Sequence, residues 1–108
     1  MAREVLGELE HQVMLALLRL GDDAYTAPVV QELESRADRP VRSAAVYIAL
    51  RRLEEKGLVV SSMQPPGPGG GRDRRHFEVT DEGVEQLRRA RKAYMSLWEG
   101  LGTVLGES

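Results

Sequence analysis

The sequence predicts a mostly helical domain with one small β-hairpin, in the order helix, helix, helix, hairpin, helix. Two observations predict it. Between the third and fourth helices the pattern changes to short β-prone runs of alternating character, residues 58–63 and 75–79, which flank a segment rich in Gly and Pro. Elsewhere, apolar residues recur three and four positions apart, as in amphipathic helices, over residues 7–20, 26–36, 41–57 and 81–98.

Composition excludes several classes of protein. The 108 residues suffice for one domain that buries on the order of two thirds of its unfolded-chain surface. Without Cys there is no disulfide framework, thiolate nucleophile or cysteine metal site, and His11 and His76 alone do not make a metal site, so we expect no cofactor. No apolar run approaches the ~20 residues that a bilayer requires, and the charged amino-terminal residues do not resemble a signal peptide. We expect a soluble, cytoplasmic protein that binds no membrane.

The formal charge of −2 hides an uneven distribution. Residues 39–76 hold eight Lys or Arg against three acids, whereas residues 1–38 hold three against eight and residues 77–108 hold four against six. One basic surface on an otherwise acidic body would orient a protein on a polyanion. The middle third of the chain is therefore where we expect a nucleic-acid contact.

The first two helices are predicted to support the third. Gly21 ends the first helix, whose apolar stripe faces inward while Gln12 points outward. Thr26 is predicted to cap the second helix, and Pro40 forces a turn after it, because the residue before a proline disfavours helix. A helix, a short turn and a helix form the helix-turn-helix arrangement, in which the second helix of the pair reads a DNA groove.

The third helix has two unlike faces. Val46, Ala49, Leu50 and Leu53 form a stripe that packs on the core, and Gly57 ends the helix in a left-handed conformation. The opposite face is small, polar and basic, which suits the DNA major groove, where Arg bonds guanine edges. A solvated surface helix shows the same pattern, so the helix alone leaves both interpretations open. The residues expected to face the groove are Arg42, Ser43, Ala44, Tyr47, Ile48 and Arg51.

The two β-prone runs predict a hairpin with a long tip and a basic end, which is a wing. Phe77 and Val79 share one of its faces. The tip glycines do not fit a phosphate-binding P-loop, because no Gly-Lys-Ser or Gly-Lys-Thr follows them. A disordered connector with incidental arginines is the alternative. On the first interpretation, the residues that lie on DNA phosphate or in the minor groove are Arg72, Arg74 and Arg75.

The last helix begins at Thr80, a hydroxyl cap followed by two acids. Its apolar residues fall at alternating steps of three and four, and Arg91 is the one polar residue among them. A domain of this size has too little surface to cover such a seam, so a second subunit is expected to cover it. The residues expected in this homodimer interface are Val84, Leu87, Tyr94, Trp98 and Leu101.

The chain resembles the PadR family of bacterial transcription regulators over essentially its whole length. A helix with the pattern Tyr-x-x-Leu-x-Arg-Leu-Glu, beginning at Tyr47, is followed by Gly70-Gly71-Arg72 and by a Thr-x-x-Gly helix start at Thr80. Leu6-Gly7-Glu8-Leu9-Glu10 and Ala24-Tyr25 also match. The chain departs from the family at Arg42, where members have a capping Ser or Thr, so either Ser43 caps the helix or Arg42 holds its first turn on a phosphate. Two further departures are Thr26 in place of Gly and His76-Phe77 in place of two aromatics, which weakens a stacking role for His76.

The resemblance implies a dimeric winged helix-turn-helix repressor of the small subfamily, without an extra effector domain. It also implies that Tyr47 contacts DNA and that the wing arginines touch the backbone or the minor groove. Members that sense drugs hold flat apolar compounds between aromatics of the two C-terminal helices, and Tyr94 and Trp98 lie at the matching positions. These two residues are therefore either a pocket for a small aromatic effector or plain dimer core.

The function predicted is regulation of transcription by a homodimer, as a repressor on an inverted-repeat operator in double-stranded DNA, with a small aromatic ligand as the candidate inducer. Residues 1–80 would form the winged helix-turn-helix domain and residues 81–108 the dimerisation helix. The alternative is a winged-helix protein-interaction module that does not touch DNA. An enzyme is not expected, because no nucleophile with a base, no acid pair and no metal set stands out.

Overall fold

A computed structural model describes residues 6–106 of the chain. The fold confirms the prediction: four α-helices and a two-stranded antiparallel hairpin, with short 3₁₀ turns at Gly21–Asp23 and Gly102–Leu105. No helix within the described residues is both long and apolar enough to cross a membrane. The elements are α1 (Glu8–Leu20), α2 (Thr26–Ala37), α3 (Ser43–Glu55), β1 (Val59–Gln64), β2 (Arg74–Val79) and α4 (Asp81–Trp98).

The core lies where α1, α2, α3 and the base of the hairpin meet. The predicted stripe of α3 is fully buried, and so are Val13 and Met14 of α1. Because α1 packs on α2, α3 and β2 at once, it buries more than one stripe. The prediction that Gln12 points outward is wrong for this reason: the residue is half-buried and its Oε1 is buried without a hydrogen-bond partner in the described chain.

The helix-turn-helix connection spans residues 38–42. Asp38 adopts a left-handed conformation, φ 49°, and the N–H of Arg39 donates to the carbonyl of Leu33 at 2.9 Å, which closes the end of α2. The predicted cap at the start of α2 is wrong by one residue, because Tyr25 is the N-cap and Thr26 lies in the first turn. Phe77 N–H donates to the Ala24 carbonyl at 2.9 Å, so the chain just before α2 is held in an extended form against β2.

α3 ends as the sequence predicts. Gly57 is left-handed, φ 77°, its N–H donates to Glu54 carbonyl at 3.0 Å, and the N–H of Leu58 donates to the Leu53 carbonyl at 3.0 Å. This pair of bonds is the Schellman motif, and buried Leu58 closes over the helix end. The turn sends the chain directly into β1, so the hairpin is joined to the C-terminal end of α3 by a fixed connection.

The hairpin and α4 follow without a gap. Ser61 of β1 pairs with Phe77 of β2 in the antiparallel register, and the tip spans residues 65–73. Thr80 caps α4 as predicted, because its Oγ1 accepts from Gly83 N–H at 3.0 Å, and it also donates to the Gly57 carbonyl at 2.8 Å. The start of α4 is thereby tied to the end of α3.

Candidate nucleic-acid interface

All six residues predicted for the groove are exposed in the described structure. The burial of Val46, Ala49, Leu50 and Leu53 turns the rest of α3 outward. Two apolar side chains are among the exposed ones: Ile48 is 52% exposed and Tyr47 is 40% exposed. The outward residues are Ser43, Ala44, Tyr47, Ile48 and Arg51 on α3, with Arg42 immediately before it.

The first turn of α3 has no side-chain cap. Arg42 is the N-cap residue, in an extended conformation, and Ser43 is the first helical residue. Of the two alternatives left by the sequence, capping by Ser43 is therefore wrong. The N–H groups of the first turn point away from the helix without a protein side chain to satisfy them, and an anion is the ligand they favour.

Tyr47 connects α3 to the wing, residues 59–79. Its ring lies edge-on to that of Phe77, with centroids 6.3 Å apart and an interplanar angle of 77°. Phe77 is buried, so this contact holds one side of the Tyr47 ring while the other faces solvent. Within residues 6–106, the Tyr47 hydroxyl makes no hydrogen bond, which leaves it free to bond a ligand.

The wing arginines lie on both faces of the hairpin. Arg74 and His76 share the face opposite Phe77. Arg74 Nη1 donates to the Tyr25 hydroxyl at 2.7 Å, and its guanidinium carbon lies 4.5 Å from the centre of that ring. His76 stacks on Tyr25, with centroids 5.3 Å apart. The expectation that His76 has a weakened stacking role is thus corrected: it stacks, and its partner belongs to the same chain.

Arg75 and Arg51 belong to one polar network between the wing and α3. Arg75 Nη1 donates to Ser61 Oγ at 3.0 Å, and Ser61 Oγ donates to Glu54 Oε2 at 2.6 Å. Arg51 Nη1 forms an ion pair with Glu54 Oε1 at 3.1 Å. In contrast, neither Arg42 nor Arg72 has an ion-pair partner in the described part of the chain, and both are exposed.

Two basic residues of the segment 39–76 are directed to α1 instead of the interface. Lys56 Nζ donates to both carboxylate oxygens of Glu10, at 2.9 and 3.1 Å, and Arg39 Nη1 lies 3.5 Å from Glu8 Oε1. Burial alone would raise the pKa of Glu10, but the N–H of Gly7 and the Lys56 ammonium outweigh it and hold this pKa below its usual value. The basic surface expected over residues 39–76 therefore does not include these two residues, and it consists of the arginines of α3 and the wing.

The predicted dimer and effector residues lie in two different environments. Leu87 is only 7% exposed and belongs to the core of the subunit, so its expected place in a dimer interface is corrected; Val84 is half-buried. Tyr94 is 65% exposed, and Trp98 and Leu101 are exposed as well. The lone subunit presents these aromatics on an open surface, since α4 extends beyond the hairpin that covers its first turns.

A groove of about 570 Å³ lies elsewhere, between the end of α1 and the outer face of the hairpin. Its lining includes Leu18, Val60 and His76 but neither Tyr94 nor Trp98. Within residues 6–106 no three His, Cys, Asp or Glu side chains are grouped as metal ligands.

Sequence reasoning missed three residues of the interface: Tyr25, Glu54 and Ser61. Tyr25 was visible only as part of a family resemblance, because its partners Arg74 and His76 are about fifty positions away. Ser61 carried a local signal. In the alternating pattern of β1 it falls on the same side as buried Val59, where a polar residue needs a bonding partner.

The chain is similar to transcriptional regulators along most of its length. The model of the transcriptional regulator PadR-like family matches residues 14–89. A PadR family transcriptional regulator from Eggerthella lenta DSM 2243 is 32% identical, with 86% of this chain and 80% of that chain covered and a TM-score of 0.66. No curated protein matches the chain.

Two more distant solved structures share the fold. A PadR family transcription regulator from Clostridium difficile R20291 has a TM-score of 0.75 at 20% identity, over 92% of this chain and 99% of that one. A PadR-like transcriptional regulator from Bacillus cereus strain ATCC 14579 has a TM-score of 0.70 at 19% identity, over 93% of each chain. The described architecture is therefore that of the PadR winged helix.

Proposed function

Because this chain belongs to the PadR family of transcriptional regulators, we propose that it is a homodimeric repressor of an inverted-repeat operator in double-stranded DNA. Residues 1–80 would form the DNA-binding domain, with α3 in the major groove and the wing on the backbone or in the minor groove. Residues 81–108 would form the dimerisation helix. A repressor acts where the chromosome lies, so we expect the protein in the cytoplasm.

The exposed face of α3 is the observation that carries the proposal. Arg51 offers hydrogen-bond donors for base edges, and Ser43 offers a hydroxyl. Ile48, 52% exposed beside them, is an apolar side chain that water solvates poorly and that a thymine methyl group suits. A purely solvated helix face would have no reason to combine an exposed isoleucine and tyrosine with these polar groups.

The wing supports the same orientation. Arg72 lies in the tip, exposed and next to Gly70 and Gly71, whose φ angles of 77° and 110° bend the backbone sharply. Such a tip can approach a phosphate backbone closely, and Arg72 supplies the charge. We assign Arg72 to phosphate or minor groove, together with Arg74 and Arg75, whose guanidiniums also bond within the chain.

The apolar surface of α4 supports a homodimer. Beyond Leu87 only Ala90 of this helix is half-buried in the subunit, and the large apolar side chains that follow are exposed: Tyr94, Leu97, Trp98 and Leu101. A contiguous apolar stripe of this kind on a lone subunit indicates an interface. Two-fold symmetry then places two copies of α3 about 34 Å apart, one helical turn of DNA, and requires an inverted repeat.

The proposal includes a small aromatic effector that binds at α4. Tyr94 and Trp98 form no enclosed pocket in the described subunit, so a ligand site there needs the second copy of α4 to complete it. Planar compounds would stack between the aromatics of the two helices and change the spacing of the two α3 helices. Trp98 fluorescence titrated with planar dyes, with DNA affinity measured alongside, tests this part separately.

Selection of bound duplexes from a random pool tests the function itself. We expect the recovered DNA to contain an inverted repeat, and the Tyr47→Ala variant to bind that duplex about tenfold more weakly while binding a scrambled duplex as before. Arg72→Ala has a different expected effect. It should weaken binding to both duplexes alike and reduce the slope of affinity against salt by about one unit, as expected for a phosphate contact.

Arg19→Ala is the control, because Arg19 is exposed on α1, outside the proposed interface, and its loss changes the net charge by −1, as Arg72→Ala does. Enrichment of no sequence, with equal binding to all competitors, would overturn the proposal in favour of a winged-helix module that binds another protein. A recovered site without two-fold symmetry would overturn the homodimeric operator alone.

A further inference from the structure

We propose that Glu54 is a positioning residue, which holds the side chains of Arg51 and Arg75 in place. It thereby fixes the DNA contacts of α3 relative to those of the wing. The proposal rests on the proposed function, since it concerns how that interface discriminates between sequences. Glu54 itself need not touch DNA. Its carboxylate contacts Arg51 of α3 directly and Arg75 of β2 through Ser61. The proposed function assigns both arginines to DNA.

The network runs through both oxygens of one carboxylate. Oε2 of Glu54 accepts from Ser61 Oγ at 2.6 Å, and Ser61 Oγ accepts from Arg75 Nη1 at 3.0 Å. Oε1 of Glu54 is buried and has no hydrogen-bond partner in the described residues, but it lies 3.1 Å from Arg51 Nη1, so this arm of the network is an ion pair without hydrogen-bond geometry. Ser61 therefore acts as a relay, donating to Glu54 with its hydroxyl hydrogen and accepting from Arg75 with a lone pair.

Burial separates the Glu54–Ser61 part of this network from an ordinary surface ion pair. An exposed pair of Lys or Arg with Asp or Glu is weak, because water and salt screen it and both side chains stay mobile. The Glu54 side chain is 29% exposed, and Ser61 sits on the face of β1 that packs toward the core. The Ser61–Glu54 bond is charge-assisted and partly buried, so it limits the rotamers of Glu54, and the bond from Arg75 to Ser61 extends this to Arg75. Arg51 is 46% exposed, and its pair with the fixed carboxylate favours one side-chain direction before DNA arrives.

The charge balance suits this role. The network holds one carboxylate and two guanidiniums, of which Arg51 pairs with Glu54 and Arg75 bonds Ser61, so it keeps a net positive charge and still attracts phosphate. The carboxylate nevertheless lowers the attraction of this surface for DNA of any sequence. Glu54 thus lowers the affinity of the protein for DNA of any sequence. At the same time it raises the ratio of specific to non-specific affinity, because it holds the arginines in one geometry.

Glu54→Gln separates the two effects, with Glu55→Gln as the matched control. Both variants remove one negative charge from the end of α3, but Glu55 is exposed and outside the network. The probes are the duplex recovered from the random pool and its scrambled version. We expect both variants to bind the scrambled duplex more tightly, and only Glu54→Gln to lower the ratio of specific to scrambled affinity, by about tenfold. A residue that merely supports the fold would lower affinity for both duplexes and lower the thermal midpoint.

Two further variants test the route. Ser61→Ala detaches Arg75 while leaving the Arg51 pair intact, and we expect a loss of about threefold in the same ratio. In an Arg51→Ala background, Glu54→Gln should lower the ratio of specific to scrambled affinity by no more than Ser61→Ala does. Only the contact that positions Arg75 remains to be lost in that background. If Glu54→Gln lowers this ratio equally in the wild-type and Arg51→Ala backgrounds, the proposed role is overturned.

The failure of this inference differs from failure of the proposed function. A wild-type protein with no preference for any duplex overturns the proposed function and this inference with it. A wild-type protein with a clear preference, whose ratio is changed equally by Glu54→Gln and Glu55→Gln, overturns only the role of Glu54.

Discussion

Gly83 marks a point of close approach between α4 and the chain that leaves α3. A Cβ atom built there would lie 2.3 Å from the Leu58 carbonyl oxygen and 2.7 Å from Cγ1 of Val79. A backbone oxygen cannot move aside as a flexible side chain can. The steric cost of replacing Gly83 by Ala therefore exceeds the gain from the higher helix propensity of Ala. The Thr-x-x-Gly pattern at this helix start therefore has a steric reason.

The first prediction concerns this residue. Gly83→Ala should lower the free energy of unfolding by about 2 kcal/mol, and the thermal midpoint by about 10 °C at fixed protein concentration. Gly102→Ala is the control, because a Cβ there meets nothing within 4 Å. Equal midpoints for the two variants would show that α4 can shift away from Leu58 at little cost.

Thr80 carries two bonds on one hydroxyl, which gives a second prediction. It accepts from Gly83 N–H and donates to the Gly57 carbonyl, so it caps α4 and holds it to the end of α3. Thr80→Ala should cost about 1–2 kcal/mol in urea unfolding, whereas Thr80→Ser keeps both bonds and should cost a few tenths. A serine variant as unstable as the alanine one would assign the effect to the lost methyl group instead.

At the scale of single residues, the sequence predicts contacts between residues that are close along the chain and misses contacts between residues on different elements. The cap at Thr80 and the left-handed Gly57 depend on neighbours within a few positions, and both are confirmed. The Tyr25–His76 stack and the Glu54–Ser61–Arg75 relay join residues on different elements, and their distances depend on how those elements pack. Alternation in β1 could have placed Ser61 on the inward face, but nothing in the sequence identifies its partner.

The helices and strands were predictable because their signals lie within each element. All four helices and both strands were expected, and the differences are small: β1 begins at Val59 instead of 58, since the N–H of Leu58 completes the end of α3. The cap at Tyr25 was missed because the bond from Phe77 to Ala24 keeps the preceding chain extended. The place of Leu87 was missed because the periodicity of α4 does not show where its own subunit stops covering it.

The contact between α1 and α3 gives a prediction with a pH dependence. Glu10 accepts from Lys56 and from the N–H of Gly7, and its pKa is lowered in the folded protein. A group with a lowered pKa stabilises the fold above its unfolded pKa, 4.5 here, and loses this contribution as the pH falls through the lower folded value. The fold should therefore be stabilised by Glu10 at neutral pH and not in acid.

Glu10→Gln tests this dependence. Unfolding in urea at pH 7 should show the variant less stable by about 1 kcal/mol, and the difference should shrink steadily as the pH falls below 4.5. Glu34→Gln, exposed on α2, is the control and should follow wild type at each pH. A Glu10→Gln difference that stays constant down to the acid range would contradict an ionic contribution and indicate lost packing.

The whole molecule combines an acidic support with a basic face. α1 carries Glu8, which bonds Arg39, and Glu10, which bonds Lys56. These two cations are therefore directed to α1 and away from the basic face. The charge count of the middle segment overestimated the free positive charge of the candidate interface, since composition does not show which cations are already paired. The arginines of α3 are exposed, and so are Arg72 and Arg74 of the wing, whereas Arg75 is half-buried.

The oligomeric state is the last prediction and the one on which the operator symmetry depends. Tyr94 is 65% exposed on the lone subunit, so a charge placed there should not disturb the subunit fold. In a homodimer joined by α4, Tyr94→Glu would bury that charge against the partner, at a cost of several kcal/mol. Light scattering at micromolar concentration should give twice the 12.0 kDa of one chain for wild type and a single chain for the variant.

Lys92→Glu supplies the comparison, because Lys92 is exposed on the opposite side of α4 and its reversal changes the net charge by twice as much. This variant should remain a dimer, which separates burial of a charge from a general change in charge. Tyr94→Glu should also lose its preference for the two-fold duplex while it still binds DNA weakly, since a single α3 contacts one half-site only. A Tyr94→Glu protein that stays dimeric would show that two subunits meet through another surface, such as the exposed Leu15 and Leu18 of α1.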